Sequence, residues 1–299
     1  MKSSPLNISI IGLGSMGSAL AKALLKSKFE IYIWNRTLSK AKELNHKESN
    51  ICLSPKEAIE NSELIIVCLL NYKVWNEIID SDIKNIDLNG KTILQLTTGS
   101  VEEVLNHNEW VKKHHGNLLE GAIICFPTQI GTIDSSIIVS GDKKIINNYD
   151  RVIKILSPIY TNLGTNLIAP TVLSRAMISG VLGSLIGMIN GLALCQKADI
   201  SLDDFKNHFF TRNSIVEEES KRIIEAIKSE NTKDTEASII AWGHGQEALL
   251  SVSKSLNTNL DFQLALNKLF NQAIKLGLKD HDLSAMVKVF EKEQTDIAS

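Results

Sequence analysis

The chain has 299 residues, 43% of them hydrophobic and 22% charged, with a formal net charge of −2. That length accommodates two ordinary domains or one large one, and the balanced charge excludes the electrostatic footprint of a nucleic-acid binder. Four cysteines (Cys52, Cys68, Cys125, Cys195) stand far apart without metal-ligand spacing, so the expectation is a reduced, cytoplasmic protein with no zinc site.

The first seven residues are polar and give no signal-peptide pattern. Ile8–Ile11 then forms an apolar strand, directly followed by Gly12-Leu13-Gly14-Ser15-Met16-Gly17 and a helix over Met16–Lys26. A strand–turn–helix carrying GxGxxG is a dinucleotide fingerprint. Gly12 allows the tight turn, Gly14 lets a pyrophosphate approach the backbone, and Gly17 lets the helix pack on the strand. The helix N-terminus favours the phosphate charge. A second strand, Ile31–Trp34, ends in Asn35-Arg36-Thr37, without the acid that an NAD site places there. Arg36 suits a 2′-phosphate through a charge-assisted fork, Asn35 and Thr37 add hydrogen bonds, and Lys40 adds charge, so NADPH is the expected cofactor.

A helix through Ala41 and Leu44 follows, then strands at Leu64–Leu70 and Thr92–Leu96. Leu69, Leu70 and Thr97, at the ends of those strands, complete the expected cofactor contacts. Leu118–Cys125 and Ser136–Ser140 continue the sheet, and Ile145–Leu156 forms a further helix. This alternation implies a parallel sheet covered on both faces.

After Ile168 the pattern becomes helical. Ala176–Cys195 is a run of twenty uncharged residues, long enough to cross a bilayer. Ser179, Ser184, Asn190 and repeated glycines dilute it, and no basic cluster flanks it. A helix that is apolar all round also suits the buried centre of a soluble fold, and that reading is preferred. Helices are expected at Leu202–Phe209, Ser214–Lys228, Ala237–Leu256, Phe262–Leu276 and Leu283–Lys292. Ser214 with Glu217 has capping-box spacing, and Gly277 suits a helix stop. The expected domains are residues 1–168 (nucleotide binding), 169–197 (connecting helix) and 198–299 (helical).

With GLGSMG, WNRT and the glycine-rich apolar helix placed, the chain resembles the β-hydroxyacid dehydrogenase superfamily, and within it the imine reductases. The supporting stretches are LTTG (Leu96–Gly99), EGAIICFPTQIG (Glu120–Gly131) and SSIIVSGD (Ser135–Asp142). The middle one is similar to the imine reductases' DGAI…YP…IG run, with Glu120 and Phe126 in place of the usual acid and tyrosine. It lacks the DAPVSGG signature of the hydroxyacid enzymes. The resemblance implies an α/β Rossmann domain, a long interdomain helix and an all-helical C-terminal domain that interlocks with a second copy as a homodimer. Such a dimer would bury the uncharged helix on every face, with no membrane involved.

The resemblance also implies hydride transfer to a C=N carbon. The hydroxyacid enzymes use a lysine on the long helix, and none lies between Thr171 and Cys195. Imine reductases carry aspartate or tyrosine near the start of that helix, where ungapped alignment places Ser174. Serine is a poor acid, so Ser174 is expected either to orient a water or the substrate nitrogen, or to be no more than a helix N-terminal hydroxyl. The expected substrate contacts are Ile124, Arg175, Trp242 and His244, with Arg175 a steering charge if it faces the site. The leading expectation is an NADPH-dependent reductase of a small cyclic imine. The alternatives are a β-hydroxyacid dehydrogenase-like enzyme and an NADPH-binding protein without catalysis.

Overall fold

The computed structural model describes residues 6–44, 46–211, 213–235 and 237–291, with the side chains of 213–215 also outside the description. The chain divides into two compact units, residues 1–179 and 180–299, and the division falls inside one long helix.

The first unit is built on eight strands: β1 (Ile8–Ile11), β2 (Ile31–Trp34), β3 (Ser49–Ile51), β4 (Leu64–Val67), β5 (Thr92–Gln95), β6 (Asn117–Ile123), β7 (Ile137–Gly141) and β8 (Thr161–Asn162). Their order is β3-β2-β1-β4-β5-β6-β7-β8. The helices between them are α1 (Ser15–Lys26), α2 (Leu38–Lys42), α3 (Pro55–Glu60), α4 (Tyr72–Ile78), α5 (Val101–Lys113) and α6 (Lys143–Leu156). A π-helical turn, Ile79–Ile83, extends α4.

Alternate residues of the strands feed two cores. Ile8, Ile10, Ile31, Ile33, Leu64 and Ile66 pack with Leu20 and Leu24 of α1 and with Val152 and Ile153 of α6. Ile11, Ile65, Val67 and Ile93 pack with Ile59 of α3, Trp75 of α4 and Val104 of α5. Each of these large aliphatic side chains contributes about 1.5–3 kcal/mol on burial. The sheet is therefore closed to water on both faces, as strand–helix alternation predicts.

The sheet is not wholly parallel. β6 and β7 run antiparallel, with Leu119 opposite Gly141 and Ile123 opposite Ile137. Between them lies only a loop with a 3₁₀ turn at Pro127–Gln129, too little for the helical crossover that a parallel pair needs. β3 is a three-residue polar edge strand with no alternating apolar signal, and β8 has two exposed residues, which is why neither is visible in the sequence pattern.

The long helix α7 runs from Ala169 to Lys197, with Pro170 in its first turn, where the missing amide costs nothing. Among the described residues it is the single helix long and apolar enough to cross a membrane by length and composition, and none of its most apolar stretch is buried within the chain. The expected burial on every face is thus absent from one copy. Met177, Ile178, Val181, Leu182, Leu185, Ile186 and Ile189 all stand exposed.

The second unit continues with α8 (Leu202–Thr211), α9 (Asn213–Lys228), α10 (Ile239–Ser255), α11 (Asp261–Lys275) and the short α12 (Val287–Phe290), preceded by a 3₁₀ turn at Leu283–Met286. Ser214 lies inside α9 rather than before it, and its proposed cap to Glu217 falls outside the described side chains. Lys292, the expected end of the last helix, also lies outside the described residues. Gly277 follows α11 at φ +79°, a conformation that ends a helix and favours glycine. The core here is small, formed by Ile239, Ala273, Leu278, Ala285 and Val289.

Candidate cofactor and substrate site

The sheet registers place the chemistry along one edge. Ile11 pairs with Trp34 and with Val67, and Val67 pairs with Gln95. The residues that follow (Gly12, Asn35, Cys68 and Leu96) therefore emerge side by side from the carboxyl ends of β1, β2, β4 and β5. Because β1 lies between β2 and β4, the chain leaves it in opposite directions at this point. An open α/β sheet binds ligands at such a switch point.

Here lies a cleft of about 600 Å³. Its floor is the glycine turn. Gly12 has φ +100°, and a Cβ on it would stand 2.4 Å from the Cys68 carbonyl oxygen. A Cβ on Gly17 would meet the Gly12 carbonyl oxygen at 2.0 Å, so α1 can approach β1 only with glycine there. Gly14 differs. Nothing lies within 4 Å of its would-be Cβ, and it lines the cleft; a side chain would occupy ligand space rather than clash with protein. Gly14 is also the N-cap of α1 and offers no side-chain cap, so the first-turn amides remain available to phosphate. These features fit a dinucleotide pyrophosphate.

Ser15, Met16, Arg36, Thr37, Lys40, Leu69 and Leu70 line the same cleft, and so does Asn35. Asn35 does more than face the cleft. Its Oδ1 accepts the Leu13 amide at 2.9 Å, and its Nδ2 donates to the Thr37 carbonyl at 3.0 Å. It thus braces the glycine turn against the loop carrying Arg36. Leu13 is buried and does not line the cleft, and its amide is taken by Asn35. Arg36 is largely exposed at the lip, its Nη1 4.0 Å from Glu77 Oε2. Glu77, Ser81 and Asp82 form the wall opposite. Sequence reasoning missed these acids because only tertiary folding brings α4 and its π-helical turn beside the end of β2.

A smaller cavity of about 210 Å³ adjoins, and Met16, Cys68 and Leu69 line both. Its other walls are Leu96–Gly99, Gly121–Ile123 and, from the start of α7, Thr171, Ser174 and Arg175. Thr97 sits here rather than in the larger cleft, its Oγ1 accepting the Leu69 amide at 3.1 Å. Ile124 does not line it: the strand turns away, the Ile124 amide donates to Ser136 O at 2.8 Å, and Ile123 takes its place. Ser174 is buried, and its Oγ donates to the Thr171 carbonyl at 2.9 Å. That bond commits the hydroxyl proton within the helix and leaves the oxygen lone pairs as acceptors. Arg175 faces this cavity, its Nη2 donating to Thr98 Oγ1 at 3.3 Å. Burial pushes the Cys68 thiol up to about 12, so it holds its proton at neutral pH.

Trp242 and His244 belong to the second unit, on α10. Trp242 is partly exposed, and His244 Nδ1 stands 3.5 Å from Glu247 one turn on. Neither lines the two cavities of the first unit.

Behind the smaller cavity, Glu120 is fully buried. The Tyr72 hydroxyl donates to it at 3.0 Å, and it has no ion-pair partner within 4 Å among the described residues. Burial pushes this carboxyl well above its usual range, and the Tyr72 hydrogen bond offsets that only in part. The Tyr72 ring in turn abuts Gly99, where a Cβ would stand 2.5 Å from it.

Residues 7–164 match the NAD-binding domain of 6-phosphogluconate dehydrogenase. Over 191 residues the chain is 28% identical to an NADPH-dependent reductive aminase of Aspergillus oryzae, covering 64% of this chain and 64% of that protein. It is 25% identical to the cytokine-like nuclear factor N-PAC of Drosophila melanogaster over 92% of this chain and 46% of that protein. The chain thus spans about half to two thirds of the length of these curated relatives. An imine reductase from Pseudomonas sp. superposes with a TM-score of 0.87 at 26% identity, over 96% of this chain and 100% of that one.

Proposed function

The chain belongs to the family built on the NAD-binding domain of 6-phosphogluconate dehydrogenase, and from that premise we propose that it is an NADPH-dependent oxidoreductase reducing the C=N bond of a small cyclic imine. The observation that carries this reading is the adjacency of the two cavities. A phosphate-accepting glycine turn with an arginine at its lip opens onto a small chamber lined by hydroxyls and apolar groups. The likeness to a reductive aminase and to an imine reductase supports the C=N class.

In this reading Gly12, Gly14, Ser15, Met16 and Gly17 hold the pyrophosphate, while Arg36, Thr37 and Lys40 hold the 2′-phosphate. Leu69, Leu70 and Thr97 flank the rest of the cofactor, and NADPH when bound supplies the hydride. The substrate nitrogen needs a proton as the C=N bond is reduced. Ser174 Oγ, its own proton held by Thr171 O, acts as an acceptor for an N–H that the substrate already carries. The reactive form is thus the protonated iminium, and Ser174 positions it rather than protonating it. A hydroxyacid dehydrogenase reading is disfavoured, because no lysine lies between Thr171 and Cys195 to serve as its acid–base group.

We further read the protein as a cytoplasmic homodimer. The free cysteines and the exposed apolar residues of α7 support this. Purified protein should oxidise NADPH with 1-pyrroline and should reduce NADP⁺ little with 3-hydroxy acids. Robust turnover of the acids would reverse the assignment. A second reading, NADPH binding without catalysis, is favoured by the committed Ser174 proton and by the likeness to a nuclear factor. Tight NADPH binding with no turnover across an imine panel would select it.

A further inference from the structure

We infer that the substrate of the smaller cavity carries a carboxylate, held by Arg175 and the hydroxyls beside it. This rests on the C=N reading above and names its substrate class: an imino acid whose own anion lies next to the reacting bond.

The argument starts from charge. Arg36 and Arg222 each face a carboxylate and Arg151 lies over the Phe29 ring, whereas Arg175, the arginine that lines this cavity, has neither a carboxylate in ion-pair range nor an aromatic face among the described residues. Its Nη2 meets only a neutral hydroxyl, Thr98 Oγ1, at 3.3 Å. Among the described residues no acid lines the cavity, and Cys68 there keeps its proton. The site therefore presents one uncompensated, permanently charged guanidinium.

Such a charge conflicts with a simple imine. Ser174 is a weak acid whose hydroxyl bonds to the Thr171 carbonyl, so the substrate enters as an iminium cation, and the guanidinium at the solvent-exposed rim of the same cavity disfavours it, though less than a buried charge would. The conflict disappears if the substrate brings its own carboxylate. The guanidinium then pairs with that anion in a geometry it matches as a fork, while the iminium N–H donates to Ser174 Oγ. Thr97 strengthens the case. Its Oγ1 accepts the Leu69 amide but donates to nothing among the described residues, so a second donor is free for a carboxylate oxygen.

The test compares 1-pyrroline with 1-pyrroline-2-carboxylate in the full-length protein, following NADPH oxidation for the wild type, Arg175→Ala and Arg175→Lys. The carboxylate-bearing imine should have the lower KM by about tenfold or more. Arg175→Ala should raise that KM by about 10- to 100-fold, the span of a lost charge-assisted pair, and so collapse the ratio between the two imines' KM values. Arg175→Lys should recover part of the loss. Calorimetric binding of pyrrole-2-carboxylate and of pyrrole to the NADP⁺-loaded protein reads the same recognition without turnover. Selective carboxylate binding that Arg175→Ala abolishes, with no turnover of either imine, would sustain the anion site and overturn the C=N reading. Equal turnover of both imines, insensitive to Arg175→Ala, would overturn the inference and leave that reading standing. Absence of both selective turnover and selective binding overturns the inference as well.

Discussion

At the lip of the cofactor cleft a single side chain, Arg36, answers to two masters. It lines the cleft and is the residue proposed to hold the 2′-phosphate, yet Glu77 stands 4.0 Å from it. Both groups are well exposed, so their mutual attraction is screened and weak. Phosphate, with higher charge and fork geometry, should win the guanidinium when bound. Arg36→Ala should therefore weaken NADPH by about 1.5–3 kcal/mol while leaving NADH nearly untouched. Fluorescence titration with both cofactors checks it, and equal losses would show that Arg36 has been misassigned. Glu77→Gln removes a carboxylate facing the same phosphate and should tighten NADPH binding several-fold at low salt, with the gain fading as salt rises. A variant that binds NADPH no better at any ionic strength would place Glu77 outside the phosphate's field.

Glu120 is a residue-scale problem of a different kind. With its pKa raised on folding, the native state holds a proton that the unfolded chain releases. Its contribution to stability is full below the ordinary carboxylate range and declines as pH rises toward the raised native value. Glu120→Gln keeps the size and removes the ionisation, so its melting temperature should exceed the wild type's by a few degrees at pH 8 and converge with it near pH 4. A gap that is constant with pH would mean that Glu120 is ionised in the native state.

Among the elements, those with strong local periodicity were legible in the sequence and those set by tertiary context were not. β1, the glycine turn and α1 could be read because a buried strand, three spaced glycines and an amphipathic helix are local patterns. β3 was invisible because Ser49–Ile51 acquires its strand character only by pairing with β2. The antiparallel turn of β7 depends on the 124–136 connection holding a 3₁₀ turn and no crossover helix, rather than on any strand's composition. The site shows the same division. Arg36 was found from its place after β2, whereas Glu77 and Asp82 were not, and Ile124 was preferred to Ile123 because strand facing is fixed by the sheet register. Asp282 is a further tertiary device that no motif announces. It is buried and joined to Arg222 at 2.7 Å, Thr235 at 2.9 Å and the Ser284 amide at 2.8 Å, tying α9 to the turn before α12. Burial pushes its carboxyl up, but the hydrogen bonds from Ser284, Thr235 and Arg222 outweigh it and hold it below the usual range. A depressed carboxylate lends stability above its unfolded pKa and loses it as pH falls through the lower native value. Asp282→Ala should cost about 1–3 kcal/mol near neutrality, since it leaves the Thr235 hydroxyl and the Ser284 amide without their acceptor, while Arg222 keeps its pair with Glu219. The denaturation midpoint of the second unit's helices should fall accordingly, and the difference from wild type should shrink below pH 4. A neutral substitution would refute the tie.

For the whole molecule, the deciding feature is α7. Twenty-nine residues at 1.5 Å each make a helix about 44 Å long, and its apolar side chains face outward along most of that length. Seven large aliphatic residues on one element form a patch beyond what a monomeric soluble surface normally exposes. Two environments would satisfy them, a lipid bilayer or another protein surface. Ser179 and Ser184 interrupt the run, and in lipid each hydroxyl would need an internal partner, while the Asn190 side chain already accepts from Gln263 Nε2 of α11. Gly180, Gly183, Gly187 and Gly191 recur along it and permit close backbone approach. Against a second copy, the same residues would build an interface of the obligate class, large and apolar. Leu182→Glu combined with Ile186→Glu buries charge in that interface and should convert a concentration-independent dimer into a monomer, with lower thermal stability because folding and association are then linked. Sedimentation velocity without detergent reads the outcome directly. A wild-type protein that sediments as a fully active monomer at micromolar concentration, or that stays in solution only with detergent, would defeat the dimer and return α7 to the membrane.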